Sequence, residues 1–227
     1  LTKNAGLKEL AQTLDHHGIE ADVLEIGEFI SEWHTLPFGD EEMAAWEVTT
    51  HAVEILNQAI EVLSGEYVID GDVATHKTAT VEKGAVVKGP AILGPHSFVA
   101  ATAYLRGGVF LDKDCIVGPA CELKTTFLVG GSKVAHLSFV GDSLVGARTN
   151  IEAGAIVANY RNEMDDKQIR FVWRGKTLET GVEKFGALIG DDVRIGANSV
   201  IAPGTIIEPG FQLARLGKID QHPNRLT

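Results

Sequence analysis

The chain has 227 residues, enough for one or two domains with a sizeable core, and a formal net charge of −11. Residues 1–66 hold 2 Lys+Arg against 14 Asp+Glu, whereas residues 67–227 hold 18 against 17. The front is therefore a poor binder of nucleic acid or anionic membrane, and any anion site in the remainder must be local. No apolar run approaches the ~18 residues of a membrane span and no charged-then-apolar leader opens the chain. Two cysteines, Cys115 and Cys121, imply no disulfide framework. Together these features point to a soluble, cytoplasmic protein.

In chain order, residues 1–66 read as an acidic helical segment. Leu7, Leu10, Ala11 and Leu14 suggest a first helix ending at Gly18, and residues 19–39 are ambiguous. Asp40 is a candidate N-cap, followed by Glu41, Glu42 and a periodic run to about Leu63. Ala52, Ile55, Ala59, Val62 and Leu63 share one face of that run, and Gly65 ends it.

Residues 67–210 carry an internal repeat. Aliphatic residues recur every six positions at Ile69, Val81, Val87, Leu93, Val99, Leu105, Leu111, Val117, Leu123 and Val129, interrupted by Thr75. From Val81 onward a small or apolar residue follows four positions later, from Ala85 to Cys115, Cys121 and Phe127, with turn residues between. This period fits neither a helix nor a meander. It fits a short strand plus a turn, three of which make one triangular coil, with coils stacked about 4.8 Å apart. The phase slips after Val129: Phe139, Val145, Ile151 and Val157 follow, then a longer gap before Ile189, Ile195, Ile201 and Ile207. Loops are expected at the two breaks, 130–138 and 158–188. The second reads as a hairpin, with β-prone Ile169–Trp173, a turn at Arg174–Lys176 and a return over Thr177–Phe185. Residues 211–227 read as a tail.

Several residues could carry chemistry. Arg106 and Lys124 lie 18 residues apart, each directly after an inward anchor. They should stack one coil apart and point outward, either as two solvated charges or as a pair joined by an anion such as phosphate. His136 falls in the first break, and is either structural or a general base. Asn150, Asn159 and Tyr160 border the second break, where Asn bonds its own backbone or orients a sugar or amide. Cys115 and Cys121 fall at inward positions, which suits packing and not a disulfide or nucleophile.

The stretches Cys121-Glu-Leu-Lys-Thr-Thr, Gly131-Ser-Lys-Val-Ala-His-Leu-Ser-Phe-Val-Gly-Asp142 and Asn150-Ile-Glu-Ala-Gly-Ala-Ile-Val-Ala-Asn-Tyr160 resemble the acetyltransferase domain of the bifunctional glucosamine-1-phosphate N-acetyltransferase/N-acetylglucosamine-1-phosphate uridylyltransferases. The stretch Arg174-Gly-Lys-Thr-Leu-Glu-Thr-Gly-Val-Glu-Lys-Phe-Gly-Ala-Leu-Ile-Gly190 is similar to the archaeal sugar-1-phosphate nucleotidylyltransferase/acetyltransferase branch. The resemblance covers about residues 68–210. It implies a mainly β fold, a left-handed parallel β-helix of hexapeptide repeats, against the usual right hand of parallel crossovers.

The same resemblance implies an N-acetyltransferase that uses acetyl-CoA and an amino-sugar 1-phosphate, assembled as a homotrimer with sites between neighbouring copies. It puts the phosphate on Arg106 and Lys124, the base on His136, reactant-positioning amides on Asn150 and Asn159 beside Tyr160, coenzyme contact on Ala153, and a weaker carry-over of basic residues on Lys167 and Arg170. Phe139 stands where the family usually has Tyr, which removes a hydroxyl from the phosphate site. No Gly-x-Gly-Thr-Arg loop occurs, so the chain is not expected to make nucleotide sugars by itself. Some hexapeptide proteins resemble zinc-dependent carbonic anhydrases; here His76, His96 and His136 do not fit the 18-residue stack, so no metal is expected. The rival reading is a sugar-phosphate-binding module that has lost catalysis and partners a separate nucleotidyltransferase.

Overall fold

A computed structural model describes residues 24–39 and 42–224. From Val73 to Ile219 the chain winds as a parallel β-helix of hexapeptide repeats with three flat faces. The first face stacks two-residue strands from Thr80–Val81 through Ile116–Val117, Lys133–Val134 and Asn150–Ile151 to Gln212–Leu213. The second and third faces are continuous in mid-helix, where Tyr104–Leu111, Glu122–Leu128 and Phe139–Val145 turn the corner between them without a break.

Anchors stack as the period requires. Val99, Val117, Val134, Ile151 and Ile195 fill the first column, Leu105, Leu123, Val140, Val157 and Ile201 the second, and Leu93, Leu111, Leu128, Val145 and Ile189 the third. All of these are buried in one cluster with Cys115 and Cys121, as expected for both cysteines. Thr75, which interrupts the apolar series, occupies an anchor site opposite Leu93. Ile69 does not: it lies on a strand, Tyr67–Asp70, that pairs antiparallel with Val73–His76, and it is 49% exposed.

The first expected break is not an insertion. Leu111 pairs with Leu128, Val117 with Val134 and Leu123 with Val140, so the coil here is 17 residues long instead of 18. The cause is a β-bulge: two residues, Gly107 and Gly108, stand at the corner where the next coil has only Thr125. Both glycines have positive φ, 73° and 95°, which suits them to this turn. Leu128 and Val140 therefore point inward, Val129 and Phe127 join the outer cluster, and Phe139 faces outward. His136 sits at a tight corner between the first and second faces, not on a protruding loop.

The second break is a real insertion. Val145 pairs with Ile189 and Ile151 with Ile195, a coil of 44 residues. It carries the hairpin Arg170–Trp173/Lys176–Glu179 at the place the sequence suggests. Beyond residue 210, in the stretch read as a tail, Gln212–Leu213 and Lys218–Ile219 add two more strands to the coil.

The acidic segment forms α1 (Ile26–Phe29), α2 (Ala45–Thr50) and α3 (Ala52–Glu61). The single helix expected from Asp40 to Leu63 is broken at His51, whose ψ of 17° leaves the helical range. Asp40 and the suggested helix near Leu7–Leu14 lie outside the described residues. Ala52, Ile55 and Ala59 are buried as expected, but Val62 is exposed. The segment does not sit on the end of the helix. It lies along the third face, over an outward apolar column that includes Ile92, Phe110, Phe127, Leu144, Leu188 and Ile206. Phe38 meets Phe110 and Phe127 edge-on at 5.0 and 5.3 Å, and Trp46 meets Phe171 and Phe185 of the insertion at 5.9 and 6.0 Å. The Ser31 hydroxyl donates to buried Asp191 at 2.6 Å, and the same carboxylate accepts the Ala147 N–H at 2.7 Å, tying the segment to the corner behind it.

Candidate functional site

The second face concentrates the polar residues. Because side chains alternate along a strand, residues flanking an inward anchor point outward. Tyr104, Glu122, Phe139, Ile156 and Val200 therefore form one outward column, and Arg106, Lys124 and Gly141 a second beside it. Arg106 and Lys124 stand one coil apart in register, as the spacing requires.

They are not two bare cations. Arg106 Nε donates to Glu122 at 2.7 Å, and Lys124 Nζ donates to both oxygens of Asp142 at 2.6 and 2.9 Å. Each carboxylate neutralises a cation that would otherwise repel its neighbour across a coil spacing. The Arg106 pair is about one-third exposed; in the Lys124 pair the side chains are only 18% and 8% exposed. The Arg106 guanidinium also lies 5.9 Å from the Tyr104 ring.

Asp142 is the hub of the arrangement. It sits at the corner of the second and third faces with φ of 43°, a conformation Asp tolerates. Its carboxylate also accepts a hydrogen bond from the Asn159 side-chain amide. Gly141, next to it, is needed for close packing: a Cβ there would come within 2.8 Å of both Asn159 and the Phe139 ring. Lys124, Asp142, Asn159, Gly141 and Phe139 are thus one contiguous patch, with Glu122 on the same strand as Lys124 and Arg106 and Tyr104 one coil before it.

His136 lies at the opposite corner of the same face, one position before exposed Leu137. Its ring is exposed and has no hydrogen-bond partner among the described residues. The corner is held by its backbone carbonyl, which accepts the Gly154 N–H at 2.8 Å; Ala153 occupies the equivalent corner of the next coil, where its carbonyl accepts the Asn198 N–H. Asn150 is on the first face, in register between Lys133 and Arg194, around the corner from the Lys124 patch.

The basic residues expected after Asn159 are committed inside the insertion. Lys167 Nζ donates to the carbonyls of Arg161, Asn162 and Met164 and lies 5.3 Å from the Tyr160 ring. Arg170 pairs with Asp166 at 2.7 Å and Glu179 at 3.2 Å. Lys167 closes the loop that follows Asn159, and Arg170 braces the base of the hairpin.

Three residues of this region escaped the sequence reading. Glu122 was visible in principle, two positions before Lys124 on the same outward face. Asp142 was hidden by the one-residue phase slip. Arg161 is a fully buried guanidinium, 1% exposed, that donates to Asp220 of the last coil and to the Pro203 carbonyl, both at 2.8 Å. It pins the chain directly after Asn159 and Tyr160, and nothing in its local sequence announces burial. Among the described residues, no group of three His, Cys, Asp or Glu is placed to hold a metal ion.

No family model matches the chain. The bifunctional sugar-1-phosphate nucleotidylyltransferase/acetyltransferase of Sulfurisphaera tokodaii is 33% identical over 139 residues, covering 61% of this chain and 34% of that protein. The bifunctional protein GlmU of Pseudomonas putida is 39% identical over 170 residues, 70% of this chain and 33% of that protein. GlmU of Methanococcus maripaludis is 34% identical over 168 residues, 71% of this chain and 40% of that protein. Among solved structures, the N-acyltransferase AntD from Bacillus cereus aligns with 66% of this chain and 75% of its own at 17% identity, with a TM-score of 0.40, too loose a likeness to carry an argument. The chain spans about a third of the length of the first of these curated relatives, and it is related to the bifunctional GlmU and sugar-1-phosphate nucleotidylyltransferase/acetyltransferase proteins, archaeal and bacterial.

Proposed function

We propose that the chain is an N-acyltransferase acting on an amino-sugar 1-phosphate, with acetyl-CoA as donor. The observation that carries the reading is the charge pattern of the second face. Arg106 and Lys124 stand one coil apart on one patch, each paired with a carboxylate, Glu122 or Asp142, and together they complement the phosphate of the acceptor. The phosphate would exchange with Glu122 and Asp142 for the two cations.

His136 is then the base. Its neutral ring would take a proton from the sugar amine as the nitrogen lone pair attacks the thioester carbonyl, and would return it to the departing coenzyme A thiolate as the C–S bond breaks. Asn159 and Tyr160 would border the acceptor, Asn150 would orient it, and the Ala153 corner would meet the coenzyme. Lys167 and Arg170 would reach substrate only by giving up the loop contacts they make.

The same layout favours a homotrimer. The third face is covered by the helices, while the first and second faces carry half-buried or exposed apolar side chains such as Phe98, Ile116, Ile156 and Val200, and Leu137 at the corner between them is 68% exposed. Packing the first face of one copy on the second face of the next would be a heterologous contact, which gives a closed ring of three when the rotation between copies is 120°. It would bring Asn150 of one copy to the Asn159 side of another and enclose His136. No helix among the described residues is long and apolar enough to cross a membrane. The buried free cysteines suit a reducing compartment, in keeping with a cytoplasmic location.

The test is a thiol-release assay with acetyl-CoA and glucosamine 1-phosphate or galactosamine 1-phosphate, beside His136→Ala. Release that requires both the sugar phosphate and His136 supports the enzyme. Sugar-phosphate binding with no release by the wild type would favour the non-catalytic binding module instead.

A further inference from the structure

Resting on that reading, we infer that Arg161 and Asp220 are positioning residues: the buried pair holds the stretch that presents Asn159 and Tyr160, so turnover depends on the last coil. Asp220 stands in the same outward column as Lys124, with Gly141, Ala158 and Ala202 between them. That separation is four coils, roughly 19 Å at about 4.8 Å each, too far for direct contact with an acceptor on the Lys124 patch. Ala158 is where the chain leaves the second face, and Asn159, Tyr160 and Arg161 follow it directly. The Arg161 side chain then reaches two coils on. It donates to the Pro203 carbonyl at 2.8 Å and, as a fork, to the two Asp220 oxygens at 2.8 and 3.3 Å.

The pair side chains are 1% and 9% exposed, so removing either partner leaves the other as an uncompensated buried charge. Among the described residues the buried Arg161 Nε has no acceptor, so the side chain has little to fall back on when Asp220 is lost. The residues after Asp220 lace the same end together. The His222 N–H donates to Asp220 at 3.1 Å, the Gln221 side-chain amide bonds both the N–H and the carbonyl of Ile206, and the Gln221 carbonyl accepts the Val172 N–H of the insertion hairpin at 2.7 Å. Asn159 itself is fixed from the front, where its amide donates to Asp142 and its carbonyl accepts the Phe185 N–H at 3.1 Å. Arg161 fixes it from behind. With Asp220 neutralised, the guanidinium must turn toward solvent and the chain before it turns as well, which takes the Asn159 amide off Asp142 and out of line with the reacting groups. Arg106 and Lys124 stand on separate strands, Tyr104–Leu111 and Glu122–Leu128, and keep their places. Loss of the clamp therefore lowers kcat and spares the KM for the sugar phosphate.

The experiment is steady-state thiol release by the full chain with acetyl-CoA and whichever of glucosamine 1-phosphate and galactosamine 1-phosphate the wild type uses. It compares the wild type with Asp220→Asn, Arg161→Lys and Gln221→Ala. Deuterium uptake of the backbone amides over 158–164 is followed in the same proteins. Arg161→Lys keeps the charge but loses the fork. Gln221→Ala loosens the last coil from Ile206 without touching Arg161, and so separates positioning from a general weakening of that end. The expected result is a fall in kcat of at least about tenfold in Asp220→Asn and Arg161→Lys, the scale of one charge-assisted hydrogen bond. The KM for the sugar phosphate stays as in the wild type, uptake over 158–164 rises, and Gln221→Ala changes none of these. A kcat untouched in both clamp variants, an equal fall in Gln221→Ala, or a raised KM with kcat intact would overturn the inference and leave the acyltransferase standing. A wild type that releases no thiol removes the acyltransferase instead, and uptake then decides the clamp. A rise over 158–164 in Asp220→Asn with the coil strands unchanged upholds it, and unchanged uptake there overturns it.

Discussion

Changing Asp142 to Asn probes the hub of the patch without changing its size. In the wild type, the carboxylate holds Lys124 Nζ through two hydrogen bonds and accepts the Asn159 amide. The substitution leaves Lys124 without its counter-charge and forces the new amide to turn one N–H₂ toward a donor. Breaking a fully buried ion pair costs about 3–5 kcal/mol, and an exposed pair about 0–1 kcal/mol. With Lys124 18% and Asp142 8% exposed, a loss of about 2 kcal/mol is expected, equivalent to about 4–8 °C in midpoint for a chain of this length. The same change frees a cation for anions. Inorganic phosphate at a hundred times its dissociation constant would return about 2.7 kcal/mol. In the wild type it must first displace Asp142 and would return less. Differential scanning calorimetry of both proteins, with and without phosphate at constant ionic strength, reads both effects. A midpoint unchanged by Asp142→Asn, or a phosphate gain no larger than in the wild type, would refute the account of Asp142 as an internal stand-in for the acceptor anion.

Three further outcomes are expected. Burial would raise the Asp220 carboxyl, but hydrogen bonds from Arg161 and the His222 N–H, with the nearby charges of Arg161 and Lys218, outweigh it and hold the group below the usual carboxylate range. A depressed folded-state value contributes stability above the unfolded value near 3.8 that disappears as pH falls through the folded one; acid titration of the melting midpoint should therefore lose part of its slope below about pH 4 in Asp220→Asn. Phe127→Ala removes a fully buried ring between the third face and Phe38 and should cost about 3–5 kcal/mol, with amide exchange of α2 and α3 accelerated ahead of the coil strands. Burial pushes the Cys115 thiol up to about 12, so iodoacetamide at pH 8 should leave it unmodified in the native protein and label it on unfolding, as mass spectrometry would show.

The solenoid was legible because, Thr75 apart, the inward anchor positions carry apolar residues, and Leu93, Leu105 and Leu123 show this at fixed spacing. The slip that follows was not, because residues one place out of phase are apolar as well. Val129 imitates the anchor Leu128, and Phe139 imitates Val140, so a 17-residue coil looks like an insertion. The uncorrected phase puts His136 on a loop and separates Lys124 from Asp142. The bulge responsible was visible as Gly107-Gly108, but nothing local says whether a glycine pair adds a residue to its own coil or matches two in the next.

The docking of the acidic segment is written in the sequence. Ile92-Leu93, Phe110-Leu111, Phe127-Leu128, Leu144-Val145, Leu188-Ile189 and Ile206-Ile207 each put an outward apolar residue before the inward anchor of the third face. A solvent-facing wall would alternate apolar and polar. Six consecutive coils of doubled apolar residues require a cover, and an amphipathic segment such as Ala52–Glu61 is the part of the chain able to supply one. That requirement also bears on the site. With the third face given to the helices, α2 and α3 reach the Asp142 corner, and the residues that could bind substrate are split between the two faces left open. On the proposed reading, the corner between Asn150 and Asn159, with His136 on it, is where a second copy would complete the site, and a mixed-oligomer complementation assay of inactive His136→Ala and Asn150→Ala chains would recover activity only if it does.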